Sequence, residues 1–166
     1  MKYFFCLQLI IVILLFSCKV THNIENSQAN KEINAIVQIK IPEQIKSNQH
    51  LKFEILAQTD EGVILYDPML VRIERFESGE WKQLKILHCP CGANCIPPPR
   101  EKRLNKNETW TYSWNLVESW CENKKGQEIP ETIELKAVPG QYRSVIFYGN
   151  TGSERLKLTK EFKIIN

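Results

Sequence analysis

Thr109-Trp110-Thr111-Tyr112-Ser113-Trp114 places three large aromatic residues at every second position, with small hydroxyl residues between them. Side chains of a strand point alternately to opposite faces, so this stretch reads as a strand with one apolar face and one polar face. A helix would scatter the same aromatics round its circumference. The same period of two recurs on both sides. Upstream, Ile33, Ala35, Val37, Ile39 and Ile41 alternate with Asn34, Ile36, Gln38 and Lys40 until Pro42, and Leu51, Phe53 and Ile55 alternate with Lys52 and Glu54. Asp60-Glu61-Gly62 predicts a turn before a short strand at Val63–Tyr66. Met69, Val71 and Ile73 alternate with Arg72 and Glu74. Glu77-Ser78-Gly79-Glu80 then predicts a hairpin turn into Trp81–Leu87. Downstream, Ile133–Ala137, Tyr142–Tyr148 and the set Leu156, Leu158, Phe162 and Ile164 complete eight or nine short strands.

Nowhere do apolar residues recur at helical spacing over a full helix length. Without helices to make crossovers, the expected fold is an all-β antiparallel sandwich. Two local patterns narrow it. Val138-Pro139-Gly140-Gln141-Tyr142-Arg143 resembles the tyrosine corner of immunoglobulin-like sandwiches, in which a Tyr early in a late strand bonds back to upstream backbone. Arg75-Phe76-Glu77-Ser78-Gly79-Glu80-Trp81 resembles a hairpin of small bacterial Ig-like domains and of the Ig-like proteinase inhibitors of bacilli. The likeness runs over residues 33–165 and implies an immunoglobulin-like β-sandwich, with Tyr142 as its corner residue. The cysteine segment at 88–99 interrupts the family pattern, so an inhibitor's reactive loop does not carry over residue by residue.

The amino-terminal segment has a different character. Lys2 is followed by Tyr3–Phe16, which carries no charge. That run is too short for a bilayer core of roughly 30 Å, which needs about 20 apolar residues. A positive start, a short apolar run and a small residue at its end fit an export signal. Leu15-Phe16-Ser17-Cys18 resembles the lipobox of bacterial lipoproteins, with Phe16 bulkier than the usual occupant of its position. The resemblance implies a lipoprotein signal peptide over 1–17, cleavage before Cys18 and lipid on the Cys18 sulfur. An ordinary signal cleaved near Ser17 and an uncleaved anchor are the alternatives. Residues 18–32 then form the lipidated cysteine and a polar tether, and 33–166 the sandwich domain. Lys19, in place of the Asp that retains many enterobacterial lipoproteins at the inner membrane, directs the expectation to the outer membrane, with the domain facing the periplasm.

The formal net charge is +3 over 166 residues, and acids and bases alternate along the chain, as in Arg72-Ile73-Glu74-Arg75. A nucleic-acid binder shows a clustered basic face instead. The carboxylates read as solvated surface groups. No nucleophile elbow, phosphate loop, dinucleotide fingerprint or zinc-protease motif occurs, and His22, His50 and His88 stand in no triad context. The expectation is a non-enzymatic protein without a cofactor. Its partners are the membrane, through the lipid, and an envelope protein.

Six cysteines are present. Cys6 lies in the expected export signal, and Cys18 is the lipid site that the lipobox likeness implies. The other four are Cys89, Cys91, Cys95 and Cys121, three of them within His88-Cys89-Pro90-Cys91-Gly92-Ala93-Asn94-Cys95-Ile96-Pro97-Pro98-Pro99. An even number in an exported chain reads first as two disulfides. Cys89–Cys91 has poor bridging geometry across a single proline. Cys91–Cys95 with Cys89–Cys121 is the favoured pairing, and Cys89–Cys95 with Cys91–Cys121 stays open. The alternative is a zinc or copper site made of His88, Cys89, Cys91, Cys95 and Cys121, although Cys-x-Cys-x₃-Cys is not the usual zinc spacing. A redox-active disulfide is a further alternative. Trp120 and Cys121 are expected in a loop. Trp81, Trp110, Trp114 and Trp120 could line a sugar-binding face, but their spacing favours core packing. Function therefore reads as envelope protein contact or structural support, with inhibitor-like and metal-binding modules as alternatives.

Overall fold

The alternation Leu51, Phe53, Ile55, Ala57 turns one whole face of a strand into buried surface, and that strand organises the first sheet. The computed structural model describes residues 36–68, 71–150 and 154–166. The expected export signal, the Cys18 lipid site, the tether, the start of the first predicted strand at Ile33 and Met69 lie outside them. Twelve strands follow in chain order: β1 Val37–Lys40, β2 Gln44–Lys46, β3 Leu51–Ala57, β4 Val63–Tyr66, β5 Arg72–Glu77, β6 Glu80–Gln83, β7 Glu101–Leu104, β8 Thr109–Trp114, β9 Val117–Glu122, β10 Glu131–Lys136, β11 Gly140–Gly149 and β12 Leu156–Ile165.

One sheet has the order β1-β3-β8, all antiparallel, with Leu51 opposite Trp114 and Phe53 opposite Tyr112. The other has the order β2-β12-β11-β4-β7, with β5 also paired to β11 and β6 paired to β5. β4 and β5 are successive stretches laid against the same strand: β4 faces Phe147–Gly149 and β5 faces Tyr142–Val145. Between them come Asp67, in the left-handed region at φ 49°, and Pro68, which has no N–H for a ladder. Pro42 has a matching role at the start. The chain leaves the first sheet after β1, and β2 joins the second sheet parallel to β12.

The core is made by residues of both sheets. Phe53 and Trp114 come from the first; Ile73, Tyr142, Phe162 and Ile164 come from the second. The Phe53 and Phe162 rings meet edge to face at 6.2 Å, and Trp114 lies 6.2 Å from Tyr142. Each fully buried aromatic contributes about 1.5–3 kcal/mol relative to exposure, so these contacts clamp the sheets together. The result is the expected all-β, immunoglobulin-like sandwich, antiparallel except where β2 joins β12. Its corner is in place: Tyr142 is 0% exposed and donates its hydroxyl to the Val138 carbonyl at 2.5 Å. The Ser78-Gly79 turn between β5 and β6 has positive φ at both residues, 55° and 86°, the conformation whose twist suits a two-residue hairpin.

Three differences from the sequence reading stand out. The described strands number twelve rather than eight or nine, because β2, β7 and β9 lack a readable alternation. β6 ends at Gln83 rather than running to Leu87. Trp120 and Cys121 lie in strand β9, not in a loop. β9 pairs only with β10 and forms a two-stranded hairpin separate from both sheets. Neither face of such a hairpin is fully covered, so its sequence carries no clean period of two.

Candidate functional site

The segment 83–99 leaves the β6 edge and is caught by the β9–β10 hairpin. Leu84 N–H still donates to Ile73 O at 2.9 Å, as a continuation of the β5–β6 ladder. Ser119 then takes over. Its N–H donates to Lys85 O at 2.7 Å, and its hydroxyl accepts from Leu87 N–H at 2.8 Å. Ser119 is buried, so these bonds satisfy groups that water does not reach. Arg75 adds a tie from β5, its Nη1 lying 3.4 Å from Glu118.

Farther along, Cys91 N–H donates to the Thr132 hydroxyl at 2.8 Å. Thr132 stands directly opposite Cys121 in the hairpin register. Cys91 is thereby set beside Cys121, and the two form a disulfide with Cα atoms 5.7 Å apart. Cys89 closes on Cys95 across 6.3 Å. All four candidate cysteines are therefore bridged, but in the pairing left open rather than in Cys91–Cys95 with Cys89–Cys121. The deciding contact is long-range, since it depends on which residue of β10 faces Cys121. Inside the Cys89–Cys95 ring, Ala93 N–H donates to Pro90 O at 3.2 Å. Gly92 is in the left-handed region at φ 74°, and Ile129 lies so close over it that a β-carbon would overlap the Ile129 side chain. The left-handed backbone favours glycine there, and a larger residue would have to displace the exposed Ile129 side chain.

These bridges also bear on the metal reading. His88 is exposed beside Cys89, but with every sulfur of Cys89, Cys91, Cys95 and Cys121 in a disulfide the set offers no thiolate. Among the described residues, no group of three or more His, Cys, Asp or Glu side chains could hold a metal ion.

Beyond the ring the chain is stiff and bare. Ile96 is 87% exposed. Ile96, Pro97 and Pro98 each precede a proline, which drives them to extended or polyproline conformations, and Pro97–Pro99 have fixed φ. The far end is pinned where Asp67 N–H donates to Arg100 O at 2.7 Å and β7 pairs with β4. Residues 96–99 are thus a short apolar rod held at both ends.

The tryptophans occupy separate surroundings rather than one sugar platform. Trp114 is interior and donates Nε1–H to Val117 O at 2.9 Å. Trp110 is half-buried, its Nε1 lying 3.4 Å from Pro68 O. Trp81 packs on Phe76 at 5.1 Å, under the Arg143 guanidinium at 4.4 Å. Trp120 has Lys85 Nζ 5.8 Å from its ring centre.

Glu74 corrects the reading of the carboxylates as solvated. It is buried, with Arg72 Nε 2.7 Å from one oxygen and Arg143 Nε donating to the other at 2.6 Å. The register places Arg143 opposite Glu74, and two cations offset the desolvation that one buried carboxylate incurs. His50 is exposed. Burial pushes the hydroxyl pKa values of Tyr112, Tyr142 and Tyr148 up, and for Tyr142 the neighbouring Arg75 opposes part of that rise. Sequence reasoning missed Thr132, Ser119 and Glu74, whose roles come from cross-strand partners, and Ile96, which stood in view beside the proline run. No protein-family model and no curated protein matches the chain.

Proposed function

We propose that the chain is a lipid-anchored envelope protein, tethered through Cys18 to the outer membrane and facing the periplasm. Its Ig-like domain makes non-catalytic contact with a protein partner through the disulfide-tied end. The observation that carries the contact reading is the presentation of Ile96. A single exposed apolar residue means little by itself. Here it projects from a segment already stiffened by prolines, a disulfide ring and a backbone tie. Association loses affinity to the ordering of loops, so a pre-ordered apolar projection binds at lower entropic cost. The non-catalytic part rests on the sequence, which carries no nucleophile motif, and the anchoring part rests on the lipobox likeness.

The test places a photo-crosslinking residue at Ile96, and at Lys157 as a control, in the membrane-bound protein of the source cells. A discrete adduct from position 96, lost when Ile96 is mutated to Asp with a crosslinker at the neighbouring Pro97, supports the reading. Equal adducts from 96 and 157 sink it. Labelled palmitate should enter the wild-type chain and not Cys18→Ser. If it enters both, the anchoring proposal fails.

The same loop favours a second reading, an inhibitor-like module, because Cys95-Ile96-Pro97 offers a protease one accessible side chain on a segment that resists rearrangement. The chain should then slow at least one member of a panel of serine, cysteine and metalloproteases at near-stoichiometric ratio. Failure against the whole panel removes it.

A further inference from the structure

A groove of about 640 Å³ opens between the segment 83–88, β8 and β9. Its size lies within the range of small-molecule sites, about 300–1,000 Å³. Ile73 and Leu84, both core residues, form its floor. Tyr112 and Trp120 are its aromatic walls. Arg72, Lys85 and His88 stand at its mouth, and among the described residues no Asp or Glu lines it. We infer that this groove is a binding site for a small amphipathic carboxylate, an acyl or aryl acid of about the size of octanoate.

The apolar floor selects the body of such a ligand, and the mouth selects its charge. Lys85 carries the argument. Its Nζ sits 5.8 Å from the Trp120 ring centre, and among the described residues no carboxylate pairs with it, so its charge is held at the mouth. Arg72 is 41% exposed, although its Nε lies beside Glu74, and Glu74 is shared with Arg143. That trio keeps a net positive charge. Tyr112 lines the groove from the opposite sheet. Its hydroxyl, whose pKa burial pushes further up from the ordinary tyrosine value of about 10, is a hydrogen-bond donor at neutral pH. A carboxylate at the mouth would accept from Lys85 and Tyr112 together, and charge-assisted bonds of this kind are about twice as strong as neutral ones. A neutral ligand with the same body gains only the floor. The groove lies beside the disulfide-tied loop but does not include Ile96, so this inference stands apart from the contact surface proposed above.

The experiment uses residues 19–166, oxidised in export, because the core and both disulfides lie within the compact unit 36–166. Octanoate and octan-1-ol are titrated separately, followed by backbone and histidine NMR shifts. Octanoate is expected to bind saturably, at least about tenfold tighter than the alcohol, with shifts at Lys85, His88, Tyr112 and Trp120. Lys85→Gln, an exposed change, is expected to weaken octanoate at least about fivefold while leaving the alcohol and the melting temperature unchanged. Tyr112→Phe, which keeps the ring packed on Phe53, should weaken octanoate alone. Equal binding of acid and alcohol, no groove shifts at about 10 mM octanoate, or full affinity in Lys85→Gln overturns the inference.

Discussion

The β9–β10 hairpin is held differently at its two ends. At its base, Leu116 and Ala137 are buried, Ala137 N–H donates to Leu116 O at 2.7 Å, and the Tyr142 corner closes just beyond, at Val138. At its tip, residues 121–129 are all exposed, and the chain is secured by the Cys91–Cys121 bond and the Thr132 hydroxyl. Burial falls away along one hairpin, and covalent cross-linking takes over where it ends. Small or protruding elements cannot enclose enough apolar area to offset chain entropy, and disulfides supply the difference by limiting the unfolded state.

The sharpest test of the base is Trp114→Ala. It removes the ring that packs on Tyr142 and is expected to destabilise the fold by about 3–5 kcal/mol, read by chemical denaturation. If the loss is below about 1 kcal/mol, the base is not held by burial. At the tip, the double change Cys91→Ser with Cys121→Ser opens a bridge of sequence separation 30 and should lower stability by about 3–4 kcal/mol on the chain-entropy model. Hydrogen exchange should separate the two regions. Amides near Cys91 and Thr132 should lose protection while those of Leu116 and Ala137 keep theirs. Uniform loss would merge the two ends into one cooperative unit.

Tyr142→Phe deletes one hydroxyl and leaves the ring in the core. About 1 kcal/mol should be lost, with the tip unchanged. An alkaline titration touches the base more gently. The folded-state pKa values of Tyr112, Tyr142 and Tyr148 are raised by burial. The unfolded chain therefore ionises first, so their contribution is complete below the ordinary tyrosine value of about 10 and is lost as pH rises through the folded values. Phenolate absorbance should lag in the folded protein and appear together with unfolding; normal titration of all the tyrosines would contradict it. The smallest effect belongs to Ile96→Asp, expected to change stability by less than about 0.5 kcal/mol, because Ile96 supports nothing in the fold. A larger loss would show that the bare rod is structural after all.

Strands whose faces meet a core on one side were readable in advance. Leu51–Ile55 and Trp110–Trp114 alternate because one face is covered and the other is not, whereas Tyr142–Tyr148 was readable from its aromatic and β-branched residues. β7 escaped notice since Glu101-Lys102-Arg103-Leu104 is a charged edge with one buried side chain. Edges of this composition resist pairing with other chains, which also disguises them in sequence. β2 has three residues, too few for a period. Tyr142 was readable because its motif is local, with donor and acceptor four residues apart. The disulfide pairing was not, because Cys91 finds Cys121 through the register of Thr132, some forty residues downstream. Glu74 stood among alternating charges and gave no sign that Arg143 would cover it.

The Cys91–Cys121 bond encloses the proline rod, β7 and β8. Arg100, Lys102 and Arg103, where a trypsin-like enzyme would cut, fall inside that closed loop. A chain nicked there keeps both fragments joined through sulfur, and neither is shed until a reductant arrives. Lys124 and Lys125 fall outside it, and a nick between them leaves β10, β11 and β12 without a covalent link to the rest, held by packing and strand pairing. The position of one bridge thus divides the surface into places where proteolysis is silent and places where it can release three of the twelve described strands.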